Sequence, residues 1–356
     1  MFDLQKLCRA DLQNLQPYKP NPIKSGILKL DANESPFDLP TEIKSEIQIL
    51  LGQELYNRYP DPQARRMLSA IAQYVKVEPE QLIAGNGSDE LILNLMLCFG
   101  KMVLAAVPTF SMYQIHAQIA QARFLGVERK ANYEVDFELL LEEAKRTSAS
   151  LIFICSPNNP TGNLAAVAKV EKLLAETEAL VVVDEAYIEF GGESCLSLLN
   201  QYPNLIVLRT FSKAFGLAGM RVGYLVANSA VINELQRIKQ PFNINNYSQI
   251  AVYAALQHQD LIAQQVALIQ SARDELKVQM EQLAMMGIKT YPTAANFILF
   301  EAYQEAAELF EALKERGILI RNVSGRGLEN CLRVTVGTPE QNTVFLEALV
   351  QSISEL

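Results

Sequence analysis

Thr210-Phe211-Ser212-Lys213-Ala214-Phe215-Gly216-Leu217-Ala218-Gly219-Met220-Arg221 decides the reading of this chain. One lysine stands among small residues, with hydroxyls just before it at Thr210 and Ser212 and an arginine eight positions after it. The apolar run 204–208 leads in and predicts a buried strand. A lysine held at the end of such a strand can lose its proton and attack a carbonyl. Ser212, Thr210 and Arg221 stand where they can grip a phosphate beside it. Taken alone, a lysine near Gly and Ser is an ordinary solvated loop residue, so the rest of the chain has to decide.

Working outward, runs 101–107, 150–155, 180–183 and 222–227 predict further short strands, several ending in Pro, Asp, Ser or Asn. Helical patterns over 88–99, 137–145 and 167–177 lie between or beside them. That alternation predicts an α/β fold, a mostly parallel central sheet flanked by helices. In such sheets ligands bind beyond the carboxyl ends of the strands. After residue 246 the character changes. Residues 248–286 predict one or two long helices stopped by Gly287. Runs 297–300, 318–321 and 332–336 then alternate with helices 304–316 and 340–356, a smaller α+β unit. The predicted division is an N-terminal segment 1–45 joining the small domain, a large domain 46–260 and a small domain 261–356. The Pro- and Asn-rich stretch 17–22 is expected to return to the small domain or cross to a partner.

Four further stretches carry chemistry. Leu180-Val181-Val182-Val183-Asp184-Glu185-Ala186-Tyr187 delivers an aspartate at the end of a strand buried on both faces. A buried aspartate costs several kcal/mol unless paired. Facing a pyridine nitrogen, Asp184 would keep it protonated and make the ring an electron sink. With Lys213 as Schiff-base partner, that suits pyridoxal phosphate. Tyr187 is placed to donate to the ring's phenolic oxygen. A plain helix cap is the competing reading of Asp184. In Ser156-Pro157-Asn158-Asn159-Pro160-Thr161-Gly162, two prolines and a glycine make a rigid turn that aims the Asn159 amide. Gly85-Asn86-Gly87-Ser88-Asp89-Glu90 opens a helix whose free amides suit phosphate; ordinary first-turn acids are the alternative. It is not the full Gly-x-Gly-x-x-Gly pattern, which disfavours a nicotinamide site. In Pro108-Thr109-Phe110-Ser111-Met112-Tyr113, Phe110 either stacks on a flat ring or belongs to the core.

Composition bounds the rest. The chain has 356 residues, 49% hydrophobic and 20% charged, with net charge −9 and no basic block, so duplex nucleic acid is an unsuitable partner. No uncharged apolar segment approaches the ~20 residues needed to span a bilayer. No signal peptide is evident, which leaves the cytoplasm as the expected compartment. The five cysteines include no Cys-x-x-Cys pair, arguing against a disulfide framework or zinc knuckle. Cys98 and Cys155 are expected in the core. The two histidines, His116 and His258, have no neighbours at metal-ligand spacing and are expected at helix surfaces, so no metal site is predicted.

Together these motifs resemble the fold-type I pyridoxal-phosphate aminotransferases of the aspartate aminotransferase superfamily. The resemblance runs from Leu30-Asp31-Ala32-Asn33-Glu34-Ser35-Pro36 to Leu332-Arg333-Val334-Thr335-Val336-Gly337-Thr338. Within that superfamily the chain most resembles the histidinol-phosphate aminotransferases of histidine biosynthesis. Asn57-Arg58-Tyr59-Pro60-Asp61, Asp184-Glu185-Ala186-Tyr187-Ile188-Glu189-Phe190, Arg209-Thr210-Phe211-Ser212-Lys213-Ala214-Phe215 and Gly317-Ile318-Leu319-Ile320-Arg321 carry that likeness. The resemblance implies that Lys213 forms the internal aldimine and that Asp184 pairs with the pyridine nitrogen. It implies that Asn159 and Tyr187 bond the ring oxygen, and that Ser88, Asp89, Ser212 and Arg221 hold the phosphate. Tyr59 would reach that phosphate from a second subunit, which implies a homodimer with shared sites. Phe110 stands where Tyr is frequent, keeping the stack but losing the hydroxyl. Arg333 would grip the substrate carboxylate, Arg321 and Tyr18 the phosphate and imidazole ends, and Asn33 would lie near the substrate. Small anionic substrates follow: glutamate with imidazole-acetol phosphate, in ping-pong alternation. A threonine-phosphate decarboxylase and an aromatic amino acid aminotransferase are the alternatives. A cofactor-sensing DNA regulator would need a basic helix-turn-helix, for which the proline-rich N-terminal ~30 residues are too short.

Overall fold

The computed structural model describes residues 2–13, 15, 26–303 and 305–356. Tyr18 therefore lies outside the described residues. The chain passes through β1 (Leu28–Lys29), α1 (Thr41–Leu51) and α2 (Arg65–Val75) before its main alternation begins. That alternation is β2 (Leu82–Asn86), α3 (Ser88–Phe99), β3 (Met102–Val107), α4 (Met112–Ile119), β4 (Arg123–Glu128), α5 (Phe137–Thr147) and β5 (Leu151–Cys155). It continues with α6 (Val167–Glu176), β6 (Leu180–Asp184), β7 (Leu205–Thr210), β8 (Val222–Ala227) and α7 (Ser229–Gln236). Two long helices follow, α8 (Asn246–Gln257) and α9 (Gln259–Glu281). The chain ends with β9 (Ile288–Thr290), β10 (Phe297–Ala302), α10 (Ala306–Glu315), β11 (Ile318–Leu319), β12 (Arg321–Asn322), β13 (Cys331–Thr335) and α11 (Pro339–Glu355).

Seven strands form the central sheet in the order β2-β8-β7-β6-β5-β3-β4. The pairings from β7 to β4 are parallel, and β8 runs antiparallel to both β7 and β2. The sequence explains the depth of these strands. Leu151–Cys155, Leu205–Thr210 and Val222–Ala227 are buried at every position, the pattern of strands covered on both faces. One core lies on each side of the sheet. Ile152, Val181, Val183 and Val207 belong to one, and Leu151, Phe153, Val182 and Ile206 to the other.

The smaller sheet, β12-β13-β10-β9, is antiparallel and packs α10 and α11 over a third core containing Ile298, Phe300, Leu309 and Phe345. Thr338 starts α11: its hydroxyl accepts from the Gln341 amide N–H, the Gln341 side chain reaches back, and Pro339 sits in the first turn. α9 serves two cores. Ile262, Val266, Ile269 and Ala272 pack in the large one, whereas Leu276 and Met280 pack in the small one. The N-terminal segment is likewise divided. The Arg9 guanidinium donates to Ile119 O at 3.0 Å, at the end of α4; β1 pairs with β11; and Ile43 and Ile47 of α1 enter the large core.

Three sequence expectations need correction. His116 is not on a surface: it lies in α4 at 7% exposure, with neither ring nitrogen hydrogen-bonded among the described residues, and burial lowers its pKa. Cys98 is only partly buried, while Cys155 is buried as expected. Strands β2 and β4 were hidden because Gly85, Asn86 and Gly126 interrupt their apolar patterns. Among the described residues all five cysteines are free, no acidic, His or Cys group is suited to a metal ion, and no helix is long and apolar enough to cross a membrane.

Candidate active site

The antiparallel direction of β8 assembles one end of the site. Gly223 lies opposite both Thr210 of β7 and Gly85 of β2, so the residue entering β8, Arg221, lies at the same edge as the ends of β7 and β2. Ser212, Ser88 and Asp89 just beyond those ends converge on it. Arg221 adopts a left-handed backbone (φ 53°). Its Nη1 donates to Ser212 Oγ and its Nη2 to Asp89 Oδ2, each at 3.3 Å. Two glycines permit the approach. A Cβ on Gly87 would collide with the Arg221 guanidinium, and one on Gly223 would lie 2.5 Å from the Ser88 nitrogen. The first amides of α3 have no partner within the helix, so Ser88 and Asp89 present N–H groups beside an arginine and a serine hydroxyl. Because Arg221 holds the Asp89 carboxylate, Asp89 offers an anion its backbone N–H. Thr210 belongs to the same turn as Ser212. Its hydroxyl donates to Val222 O at 3.3 Å and accepts from Ser212 N at 3.1 Å, so its only proton shapes the turn.

Lys213 follows in the same turn. Its Nζ donates to Ala32 O at 2.9 Å and lies 5.8 Å from the centre of the Tyr187 ring. Burial brings its pKa down from 10.5 to about 8, helped by the Arg333 cation and, more weakly, by Arg221, with Glu34 and Asp89 opposing. Of the two arginines, Arg333 has the larger part.

Asp184 ends β6 at 3% exposure. Its Oδ2 accepts from the Tyr113 hydroxyl at 2.6 Å and its Oδ1 from the Ala186 amide at 3.1 Å. Desolvation nonetheless dominates and pushes its pKa up to about 6. A cation placed against this carboxylate would therefore be bound strongly, since two neutral donors do not replace the lost water. Phe110 follows β3 and meets Tyr113 edge-on, ring centres 5.6 Å apart.

The small sheet closes the other side. Arg333 Nη1 donates to Asn159 Oδ1 at 2.5 Å and Nη2 to Asp31 O at 2.6 Å. Arg321 is the direct cross-strand partner of Arg333, placing two guanidinium-bearing residues on one face of the sheet. Asn33 is buried with a left-handed backbone (φ 53°) and donates from Nδ2 to the Tyr187 hydroxyl at 2.9 Å. Burial raises the Tyr187 pKa to about 12, so the phenol stays protonated. Lys213, Asp184, Tyr187, Asn159, Asn33 and Arg333 thus gather from five separated segments. Tyr59 does not join them within this chain. It is 79% exposed and stacks on Phe242, ring centres 4.5 Å apart.

A lysine held near neutrality, a buried carboxylate and paired arginines match one family throughout. The family model for aminotransferase class I and II covers residues 25–349. The chain belongs to the class I and II aminotransferases.

Relatives of this aminotransferase are similar over nearly their whole length. Histidinol-phosphate aminotransferase 1 of Carboxydothermus hydrogenoformans is 42% identical over 342 residues, 94% of this chain and 95% of that one. The histidinol-phosphate aminotransferase of Thermococcus kodakarensis is 41% identical over 346 residues, 96% of this chain and 97% of its own. The crystal structure of histidinol-phosphate aminotransferase from Sinorhizobium meliloti in complex with pyridoxal-5'-phosphate superposes with a TM-score of 0.85 at 26% identity, covering 92% of each chain.

Sequence reading of this aminotransferase missed two kinds of residue. Tyr113, the hydroxyl partner of Asp184, stood inside a quoted motif but was given no role. Asp31 offers its backbone carbonyl rather than its side chain to Arg333, and no residue-type pattern marks a carbonyl. The only available signal for Tyr113 was its spacing, three residues after Phe110 at the start of α4, on the strand-end side of that helix.

Proposed function

We propose that this aminotransferase moves an amino group between glutamate and imidazole-acetol phosphate, yielding 2-oxoglutarate and histidinol phosphate, with pyridoxal phosphate as cofactor. The carrying observation is the cross-strand pair Arg321 and Arg333 beside Lys213. Like charges directly opposite in a sheet repel, and a ligand with an anionic group relieves that repulsion. The residues present fit the cofactor. The glycine-cleared notch at Arg221, Ser212 and the α3 amides suits a phosphate, and buried Asp184 lacks the cation that a protonated pyridine nitrogen would supply.

When bound, pyridoxal phosphate supplies a protonated ring that takes up the electron pair left at the substrate α-carbon. Asp184 would hold the proton on the ring nitrogen, and Tyr113 and the Ala186 amide hold Asp184. Asn159 and Tyr187 would hold the ring oxygen, and Phe110 would cover the ring. Lys213 Nζ, half neutral near pH 8, takes the proton from the substrate α-carbon. Arg333 receives the carboxylate, Arg321 and Tyr18 the far end of the substrate, and Asn33 fixes Tyr187. The protein acts as a cytoplasmic homodimer in which Tyr59 reaches the phosphate of the second subunit. The exposed run Leu55, Tyr56 and Tyr59 supports that arrangement. Incubating the holoenzyme with histidinol phosphate and 2-oxoglutarate is expected to give glutamate. Carbon dioxide from threonine phosphate, or faster turnover of phenylalanine, would replace this reading with a decarboxylase or an aromatic aminotransferase.

A further inference from the structure

Arg129, one residue beyond β4, is the centre of a knot that the reaction as described does not use. Its guanidinium donates only to neutral acceptors: Nε to Ala106 O and Pro108 O, each at 3.1 Å, Nη1 to Tyr133 O at 3.1 Å, and Nη2 to Asn158 Oδ1 at 2.9 Å. Among the described residues no carboxylate lies within ion-pair distance of it, and desolvation brings its pKa down to about 10. Arg129 is half-buried, and a cation partly withdrawn from water without a counter-charge is costly, so such groups persist where the surroundings need them.

What surrounds Arg129 is the two loops that frame the ring site. Asn158 is fully buried and uses its whole side-chain valence in this knot. Its Oδ1 accepts from Arg129 and, at 2.7 Å, from the Thr109 hydroxyl; its Nδ2 donates to Pro108 O at 3.1 Å and to Thr161 Oγ1 at 2.7 Å. Phe110 comes directly after Thr109, and Asn159 directly after Asn158. The third loop reaches the small sheet. Tyr133, left-handed at φ 63°, sets its ring edge-on to that of Tyr291, centres 5.0 Å apart, and its hydroxyl 3.9 Å from Cys331 Sγ, at the start of the strand that bears Arg333.

We infer that Arg129 is a positioning residue of the aminotransferase reaction, tying the loops that carry Phe110 and Asn159 to one guanidinium so that the stacking ring and the ring-oxygen donor keep a fixed relation. This rests on the reading that Asn159 donates to the ring oxygen. The knot acts on that donor, and its cation adds to the positive potential nearby. Both favour the anionic form of the ring oxygen.

The test titrates the visible absorbance of the bound cofactor against pH in Arg129→Met, Arg129→Lys and Asn159→Ala holoenzymes. kcat, KM and Tm are measured in parallel. Asn159→Ala is expected to raise the spectral pKa. Arg129→Met is expected to raise it in the same sense by about half a unit or more. It is also expected to lower kcat about tenfold with little change in KM, as misplacement of reacting groups does. Arg129→Lys keeps the charge but loses the fork, so it falls between Met and the parent and carries the test if the Met variant does not fold. A lowered Tm with unchanged spectral pKa and kcat would make Arg129 merely structural and overturn the inference, provided Asn159→Ala shifts the titration. No shift in Asn159→Ala would overturn the ring-oxygen reading itself, and the inference with it.

Discussion

Lys213 and Asp184 titrate away from their ordinary values because both have lost water, with opposite consequences. The folded state holds the lysine proton more weakly than the unfolded chain does, so the ε-amine is available as a base near pH 8. Uptake of pyridoxal phosphate by the cofactor-free protein should therefore follow a group of pKa about 8. Arg333→Gln removes a charge that lowers this pKa and should move the midpoint upward. An unmoved midpoint, or one at 10.5 in the parent, would contradict the electrostatics. Asp184 is raised from 3.8 to about 6, so the folded state holds its proton more tightly than the unfolded chain. That stabilisation is complete below pH 3.8 and is lost as pH rises through 6, which leaves a buried carboxylate working against the cofactor-free fold at neutrality. Asp184→Asn keeps an acceptor for Tyr113 and should melt higher without cofactor at pH 7.5, by up to roughly 3 kcal/mol in stability. The same variant should lose turnover by orders of magnitude. A lower melting point without cofactor would mean that another group already pairs this carboxylate.

At the scale of elements, the notch where β2, β7 and β8 end depends on the absence of side chains. Gly223→Ala places a methyl 2.5 Å from the Ser88 nitrogen, which is backbone and yields only if α3 shifts. Overpacking of that kind costs about 1–3 kcal/mol, and dialysis should show at least a tenfold loss of cofactor affinity. Unchanged retention would mean that the α3 amides do not hold the phosphate. The sequence made this notch half legible. Ser88, Ser212 and Arg221 were marked by residue type, and α3 was read to its final boundaries, 88–99. Strand β2 was not, because Gly85 and Asn86 look like a turn, and without it the convergence of its end with Arg221 could not be derived. Long apolar runs announced β5, β6 and β7, whose burial on both faces leaves polar residues only at their carboxyl ends, at Asp184, Arg209 and Thr210. Partners that are backbone carbonyls, such as Ala32 for Lys213 and Asp31 for Arg333, leave no trace in residue type.

Over the whole molecule, two units meet at the site. Arg333 bonds Asn159 across the boundary, and Tyr133 packs on Tyr291 and Cys331 beside it. The dimer proposal adds a third contributor and has its own test. Lys213→Ala and Tyr59→Ala are each impaired as homodimers. Mixed after unfolding or by co-expression, they form hybrids in which one site has both residues native. Random pairing should restore ~25% of parental activity if sites are shared between subunits. No recovery would confine Tyr59 to its own subunit. The central claim is the covalent role of Lys213, and the most direct measurement is borohydride reduction of the holoenzyme followed by peptide mass mapping. The account predicts one phosphopyridoxyl group, attached to Lys213 within the turn after β7. A label on any other lysine, or none on a cofactor-loaded protein, would contradict it.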